Sequence, residues 1–259
     1  MAKTHDSFIW YELMTTDQPA AEAFYRAIVG WEMADAGQSG MRYTILSAGT
    51  RGVGGLMTIP AEARQAGAQP GWMGYIGVAD TDAAAQRIAR AGGSIHRAPD
   101  DIPNVGRFAV VADPGGATFM LLTPLPREQE PPPIEPNTPG AVGWHELYAG
   151  NGQEAAFAFY ASQFRWTTID TMDMGEMGKY RIFGADGVPF GGMMDKPAQA
   201  PRSAWAFYFN VDGIDAAAQR ITGNGGQVVM GPHEVPGGSW IVQALDPQGA
   251  NFALVSPKR

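Results

Sequence analysis

Asp82-Ala83-Ala84-Ala85-Gln86-Arg87-Ile88 recurs without a change as Asp215 to Ile221. Working outward from that stretch, Trp10-Tyr11-Glu12-Leu13 returns as Trp144-His145-Glu146-Leu147. Phe24-Tyr25, followed by Gly30-Trp31, returns as Phe159-Tyr160 followed by Arg165-Trp166. Gly54-Gly55-Leu56-Met57 returns as Gly191-Gly192-Met193-Met194, and Asp113-Pro114-Gly115-Gly116-Ala117 as Asp246-Pro247-Gln248-Gly249-Ala250. The offsets between partners stay between 133 and 137 residues, so the chain is an internal duplication.

Each copy is itself doubled. Phe8 to Thr15 alternates large residues like a half-buried strand. Asp17 stands where a helix N-cap belongs, Ala20 to Ile28 supplies helix formers, and Gly30 stops them. Short strands are expected near Trp31 to Ala34, Met41 to Ser47 and Val53 to Thr58, with the paired glycines opening the last of these. Residues 72 to 123 repeat the order. Trp72 to Ala79 is a strand, and Asp80 or Thr81 caps a helix ending at Gly92-Gly93. Strands follow near Ser94 to Arg97, Arg107 to Val111 and Ala117 to Thr123. The second half runs the same order twice from Val142 and Ala204, giving four βαβββ modules and an α+β fold.

Pro124 to Pro139 carries seven prolines and three glutamates, which reads as an extended linker. The domains are therefore expected at 5–124 and 140–257, with a linker at 125–139. A net charge of −8 argues against a nucleic-acid partner and against a polybasic membrane surface. The absence of cysteine excludes disulfides, thiolate metal sites and a cysteine nucleophile. No leader-like apolar segment opens the sequence, and no run of about 18 apolar residues occurs. These features set the expectation of a cytoplasmic protein. Four modules in one chain suggest a monomer, with a homodimer as the alternative.

Four βαβββ modules, Phe-Tyr near the end of a first helix and Asp-Pro-x-Gly-Ala before a last strand together resemble the vicinal oxygen chelate superfamily. That superfamily includes glyoxalase I, extradiol dioxygenases and bleomycin resistance proteins. The paired Trp-x-Glu-Leu and Gly-Trp signatures look like the two-domain glyoxalase-like proteins of bacteria. The resemblance implies two glyoxalase-like domains, each a curved mixed sheet around a cleft. In catalytic members it implies a divalent metal held by His, Gln or Glu on the first strand and Glu on the last strand of paired modules.

Carried over position by position, those ligand sites fall on Trp10, Met73 and Met120 in the first half, and on Trp144, Ala206 and Ala253 in the second. None of the six suits a hard divalent cation. His5, His96 and His233 lie away from the expected positions, and alternation turns His145 away from the face of Trp144. Metal ligands are therefore not expected. A divalent ion held some other way is the alternative.

Glu12 and Glu146 share a strand face with the neighbouring tryptophans. Each is a candidate general base or ligand acceptor. The alternative, and the simpler one, is a structural carboxylate that accepts hydrogen bonds from a neighbouring strand or pairs with an arginine such as Arg42 or Arg181. Trp10, Met73, Tyr75 and Met120, with Trp144 and Tyr208, complete an apolar, aromatic ligand-binding face, unless those side chains simply fill the cleft. The paired glycines lack the spacing of a nucleotide loop and point to close backbone approach. The expected function is enclosure of a small apolar or aromatic molecule, by binding or sequestration. The alternative is a metal-dependent lyase, isomerase or dioxygenase using Glu12 or Glu146, and an interaction protein with filled clefts is the third reading.

Overall fold

The computed structural model describes residues 6–36, 42–126 and 133–259. His5, Met41 and residues 127–132 of the expected linker lie outside them. The first half runs β1 (Phe8–Thr15), α1 (Gln18–Val29), β2 (Glu32–Asp35), β3 (Tyr43–Ala48), β4 (Arg51–Thr58), α2 (Ala61–Gln65), β5 (Gly71–Gly77), α3 (Thr81–Arg90), β6 (Ser94–Ile102), β7 (Gly106–Ala112) and β8 (Thr118–Pro124). The second runs β9 (Val142–Ala149), α4 (Gln153–Phe164), β10 (Thr167–Asp173), β11 (Lys179–Ala185), β12 (Val188–Asp195), β13 (Ala204–Asn210), α5 (Ile214–Gly223), β14 (Gln227–Glu234), β15 (Trp240–Leu245) and β16 (Asn251–Ser256). Two eight-stranded mixed sheets result, ordered β2-β3-β4-β1-β5-β8-β7-β6 and β10-β11-β12-β9-β13-β16-β15-β14. The α+β architecture of four modules is as the repeat implies.

The local signals act as read. Asp17 accepts from the Ala20 amide at 3.1 Å, and Gly30 ends α1 in the left-handed region at φ 83°. Asp80 caps α3 through the Ala83 amide at 2.9 Å. Four details differ. Trp31 precedes β2 and is buried in the core, where its indole donates to the Gly140 carbonyl at 2.8 Å. Strand β6 continues to Ile102, and the short helix α2 had no sequence signal beyond a few helix formers after Pro60. The glycine pairs lie inside β4 and β12 rather than at their starts.

The chain packs as two compact units that cross the sequence repeat. Of the described residues, one comprises 6–9, 74–126 and 145–206, and the other 10–36, 42–73, 133–144 and 207–259. Each unit therefore joins modules from different halves. In the second unit, Tyr25 of α1 meets Trp31, Trp72 and Phe252 with ring centroids 5.3–5.8 Å apart. In the first, Tyr160 of α4 meets Trp166, Trp205 and Phe119 at 5.2–5.5 Å. Tilted and edge-on contacts dominate these clusters, as ring quadrupoles prefer.

The same tyrosines explain the recurring motifs. Trp72 Nε1 donates to Tyr25 Oη at 3.0 Å, and Tyr25 Oη donates to Asp246 Oδ2 at 3.1 Å. The matching chain in the other unit is Trp205 to Tyr160 at 2.9 Å and Tyr160 to Asp113 at 3.1 Å. Each aspartate also closes its own turn, accepting from Ala117 or Ala250 at 2.8 Å, while Gly116 and Gly249 take φ near 90°. Phe-Tyr and Asp-Pro-x-Gly-Ala are thus two ends of one buried clasp between sequence halves.

Candidate functional site

The helix-bearing face of β1, β3 and β4 is settled by Gln18 of α1, whose amide donates to Thr44 Oγ1 at 3.0 Å and to the Leu56 carbonyl at 3.3 Å. Alternation then places Trp10, Glu12, Tyr43 and Gly55 on the opposite face. There the register aligns Glu12 with Gly55 and Gly55 with Ile45. Trp10 Nε1 donates to Tyr43 Oη at 2.9 Å, and Tyr43 Oη donates to Glu12 Oε2 at 3.0 Å. Burial first, and the neighbouring Glu12 charge second, push the Tyr43 phenol above its ordinary range, so it stays protonated and keeps donating. The result is a buried carboxylate held in one place by a phenol that an indole orients.

The second half repeats the pair: Tyr180 Oη donates to Glu146 Oε1 at 3.0 Å. Tyr43 and Tyr180 were missed in the sequence, although they are related by the same 137-residue offset as the glycine pairs. The arginine partners considered for these carboxylates bond elsewhere. Arg42 reaches Glu22 at 2.6 Å, while Arg181 donates to Gln153 at 2.8 Å and lies over the Phe157 ring.

The glycines make this arrangement possible. A Cβ on Gly55 would overlap the Tyr43 ring, and one on Gly192 would overlap Tyr180. Gly55→Ala is therefore expected to drive Tyr43 off Glu12 and to lower stability by about 2–3 kcal/mol, the cost of a buried carboxylate losing one of its donors together with the displacement of a buried ring. Gly52→Ala, whose Cβ would meet only ordinary contacts, serves as the control in thermal unfolding and should cost less than about 1 kcal/mol.

The other candidates form two rows. Tyr75 of β5 pairs with Met120 of β8, which pairs with Val110 of β7. In the second half, Tyr208 pairs with Ala253, and Ala253 pairs with Gln243 of β15. Gln243 Nε2 donates across that row to Tyr208 Oη at 2.6 Å. Gln243 carried no sequence signal, because a lone glutamine in a strand looks like any other polar residue. The structure brings Trp10 together with Glu12, Tyr75 with Met120, and Tyr208 with Ala253.

His145 is buried on the helix-bearing side. Its ring stacks on Phe8 at 4.5 Å, and Nδ1 lies 2.7 Å from the Phe190 carbonyl. Burial lowers its pKa to about 4, against the upward pull of that hydrogen bond. His96 and His233 lie on β6 and β14, the last strands in the two sheet orders. Two surface depressions, of about 320 Å³ and 620 Å³, are lined around Gly30 and Arg220 and around Gly152 and Lys179. Neither includes a candidate residue.

A profile of the Glyoxalase/Bleomycin resistance protein/Dioxygenase superfamily matches residues 7–121 and 145–254. The chain belongs to that superfamily. It is 31% identical over 251 residues to "Putative glyoxylase CFP32" of Mycobacterium bovis, covering 96% of this chain and 94% of the relative. It is 30% identical over 260 residues to the anthracycline biosynthesis protein DnrV of Streptomyces peucetius, covering 95% and 91%. Among solved structures, the Mn(II)-bound glyoxalase of Novosphingobium aromaticivorans superposes with a TM-score of 0.68 at 15% identity, over 98% of this chain and 83% of that one. The 2,3-dioxygenase LapB of Pseudomonas sp. KL28 superposes at 0.62 and 13% identity, over 95% and 90%. At those identities the likeness establishes the shared fold.

The superfamily implies a divalent metal, and the residues present do not fit one. Trp10, Met73, Met120, Trp144, Ala206 and Ala253 offer no nitrogen or carboxylate oxygen lone pair to a hard cation. Among the described residues no three His, Asp or Glu side chains gather as an alternative set. Glu12 and Glu146 are each engaged by a tyrosine instead. Among those residues no helix is long and apolar enough to cross a membrane.

Proposed function

We propose that this glyoxalase-superfamily protein binds a small, largely apolar or aromatic molecule through side chains rather than through a coordinated metal. The observation that carries the reading is the Trp10–Tyr43–Glu12 chain. It puts an indole, a phenol and a fixed carboxylate on one face, where the superfamily's first-strand ligand would stand. Such a face gives apolar contact area together with a pre-oriented acceptor, the usual make-up of a small-molecule site. Two relatives named for anthracycline biosynthesis support a flat aromatic ligand. Binding or sequestration follows most simply, because the carboxylate is held as an acceptor and, among the described residues, no coordinating set accompanies it.

Elemental analysis of protein purified without chelator tests this reading. Less than about 0.1 equivalent of manganese, iron, nickel or zinc per chain is the expected outcome, given the ligand chemistry at the six positions. A stoichiometric ion that leaves when Glu12→Gln and Glu146→Gln are introduced would replace it with the metal-dependent reading.

A further inference from the structure

The duplication supplies its own control for the face of β13, β15 and β16. The first half builds the equivalent three strands with Gly77, Tyr75, Val110 and Met120. The second half keeps the tyrosine, as Tyr208, but places Asn210, Gln243 and Ala253 at the other positions. Two amides stand where the first half has a glycine and a valine, and an alanine stands where it has a methionine. The fold needs neither amide, since the first half forms the same strands without them.

Asn210 is 3% exposed, and its Oδ1 has no hydrogen-bond partner. Its backbone is fully used, with N donating to the Ala141 carbonyl at 2.8 Å and O accepting from the Gly140 amide at 2.9 Å. The side chain occupies the space that a Cβ on Gly143 would need. A hydrocarbon would fill that space without leaving a carbonyl oxygen buried and unpaired, an arrangement that destabilises a folded chain. Two residues earlier on the same face, Tyr208 receives the Gln243 amide across the small Ala253.

We infer that the second sheet carries the ligand-orienting site, formed by Asn210, Gln243 and Tyr208, and that it takes an aromatic alcohol or amine whose O–H or N–H donates to Asn210 Oδ1. Gln243 swings from Tyr208 to admit the ring above Ala253, and its Nε2 then donates to the ligand's oxygen or nitrogen. The inference rests on the small-molecule reading above and adds a site beyond the Trp10–Tyr43–Glu12 face, with its chemical class.

Matched probes test it: 2-naphthol and naphthalene, titrated against the full chain by quenching of tryptophan emission. The hydroxyl should make 2-naphthol bind about tenfold more tightly, the value of one good neutral hydrogen bond. In Asn210→Ala and in Gln243→Val that preference should fall to about twofold or less, with naphthalene affinity little changed. The midpoint of thermal unfolding should hold or rise in Asn210→Ala, because an unpaired buried oxygen has gone. A preference that survives both substitutions overturns the inference, as does an Asn210→Ala variant that loses stability and keeps the preference. Equal binding of the two probes to the wild type overturns the inference alone. Binding of neither probe removes the small-molecule reading with it.

Discussion

Asp246→Ala is expected to cost about 3–5 kcal/mol, because it strips several buried donors of one acceptor at once. Oδ1 accepts from the Gln248 and Ala250 amides at 2.9 and 2.8 Å, and Oδ2 accepts from Tyr25 Oη. Tyr25 is fully buried, so no water replaces the lost partner. Burial is also the main cause that raises the pKa of Asp246. Tyr25→Phe removes only the clasp bond and should cost about 1.5–3 kcal/mol, the range for a hydrogen bond to a charged group. The double variant should lose less than the sum of the two, since both remove the same bond. For a chain of this size the alanine change lowers the unfolding midpoint by about 10 °C. A shift of only a degree or two would show that the clasp between the halves does not hold the unit together.

Acid sensitivity is the second large effect. In the native chain the His145 pKa is lowered to about 4, against 6.5 for a free imidazole. Below pH 6.5 the unfolded chain takes up a proton that the native site refuses. Stability is therefore whole above pH 6.5 and lost as pH falls toward 4, by about 3 kcal/mol in all. Asp113 and Asp246 act in the opposite sense. Their raised pKa values mean that their favourable contribution is lost as pH rises through the native value. The comparison that isolates the imidazole is wild type against His145→Asn, which keeps a donor near the Phe190 carbonyl and does not titrate. Denaturant midpoints from pH 7.5 to 4 should converge between the two proteins as pH falls. Parallel curves would contradict a buried neutral imidazole.

The fold was legible because its signals are local and repeated. Asp17, Asp80 and Gly30 act as a cap, a cap and a stop whatever surrounds them, and strand alternation sorted the faces of β1 and β9. The candidate site was legible only in part. Trp10, Glu12, Tyr208 and Glu146 follow from alternation along a single strand. Tyr43, Tyr180 and Gln243 do not, because they act across strands and depend on register. Gly55 shows the limit clearly. Its pairing with Gly54 suggested close approach, but the approaching group, a tyrosine ring twelve residues upstream, follows only from the β3–β4 pairing. The crossed packing of the halves was likewise hidden. Tyr25 and Asp246 stand 221 residues apart and form one hydrogen bond.

Binding without a coordinated metal is tested most directly by titrating 2-naphthol into protein dialysed against EDTA, and again after manganese or iron is restored. The expected result is saturable quenching of tryptophan emission with the same dissociation constant in both samples, within about twofold. Binding that vanishes after dialysis and returns with the metal would contradict it.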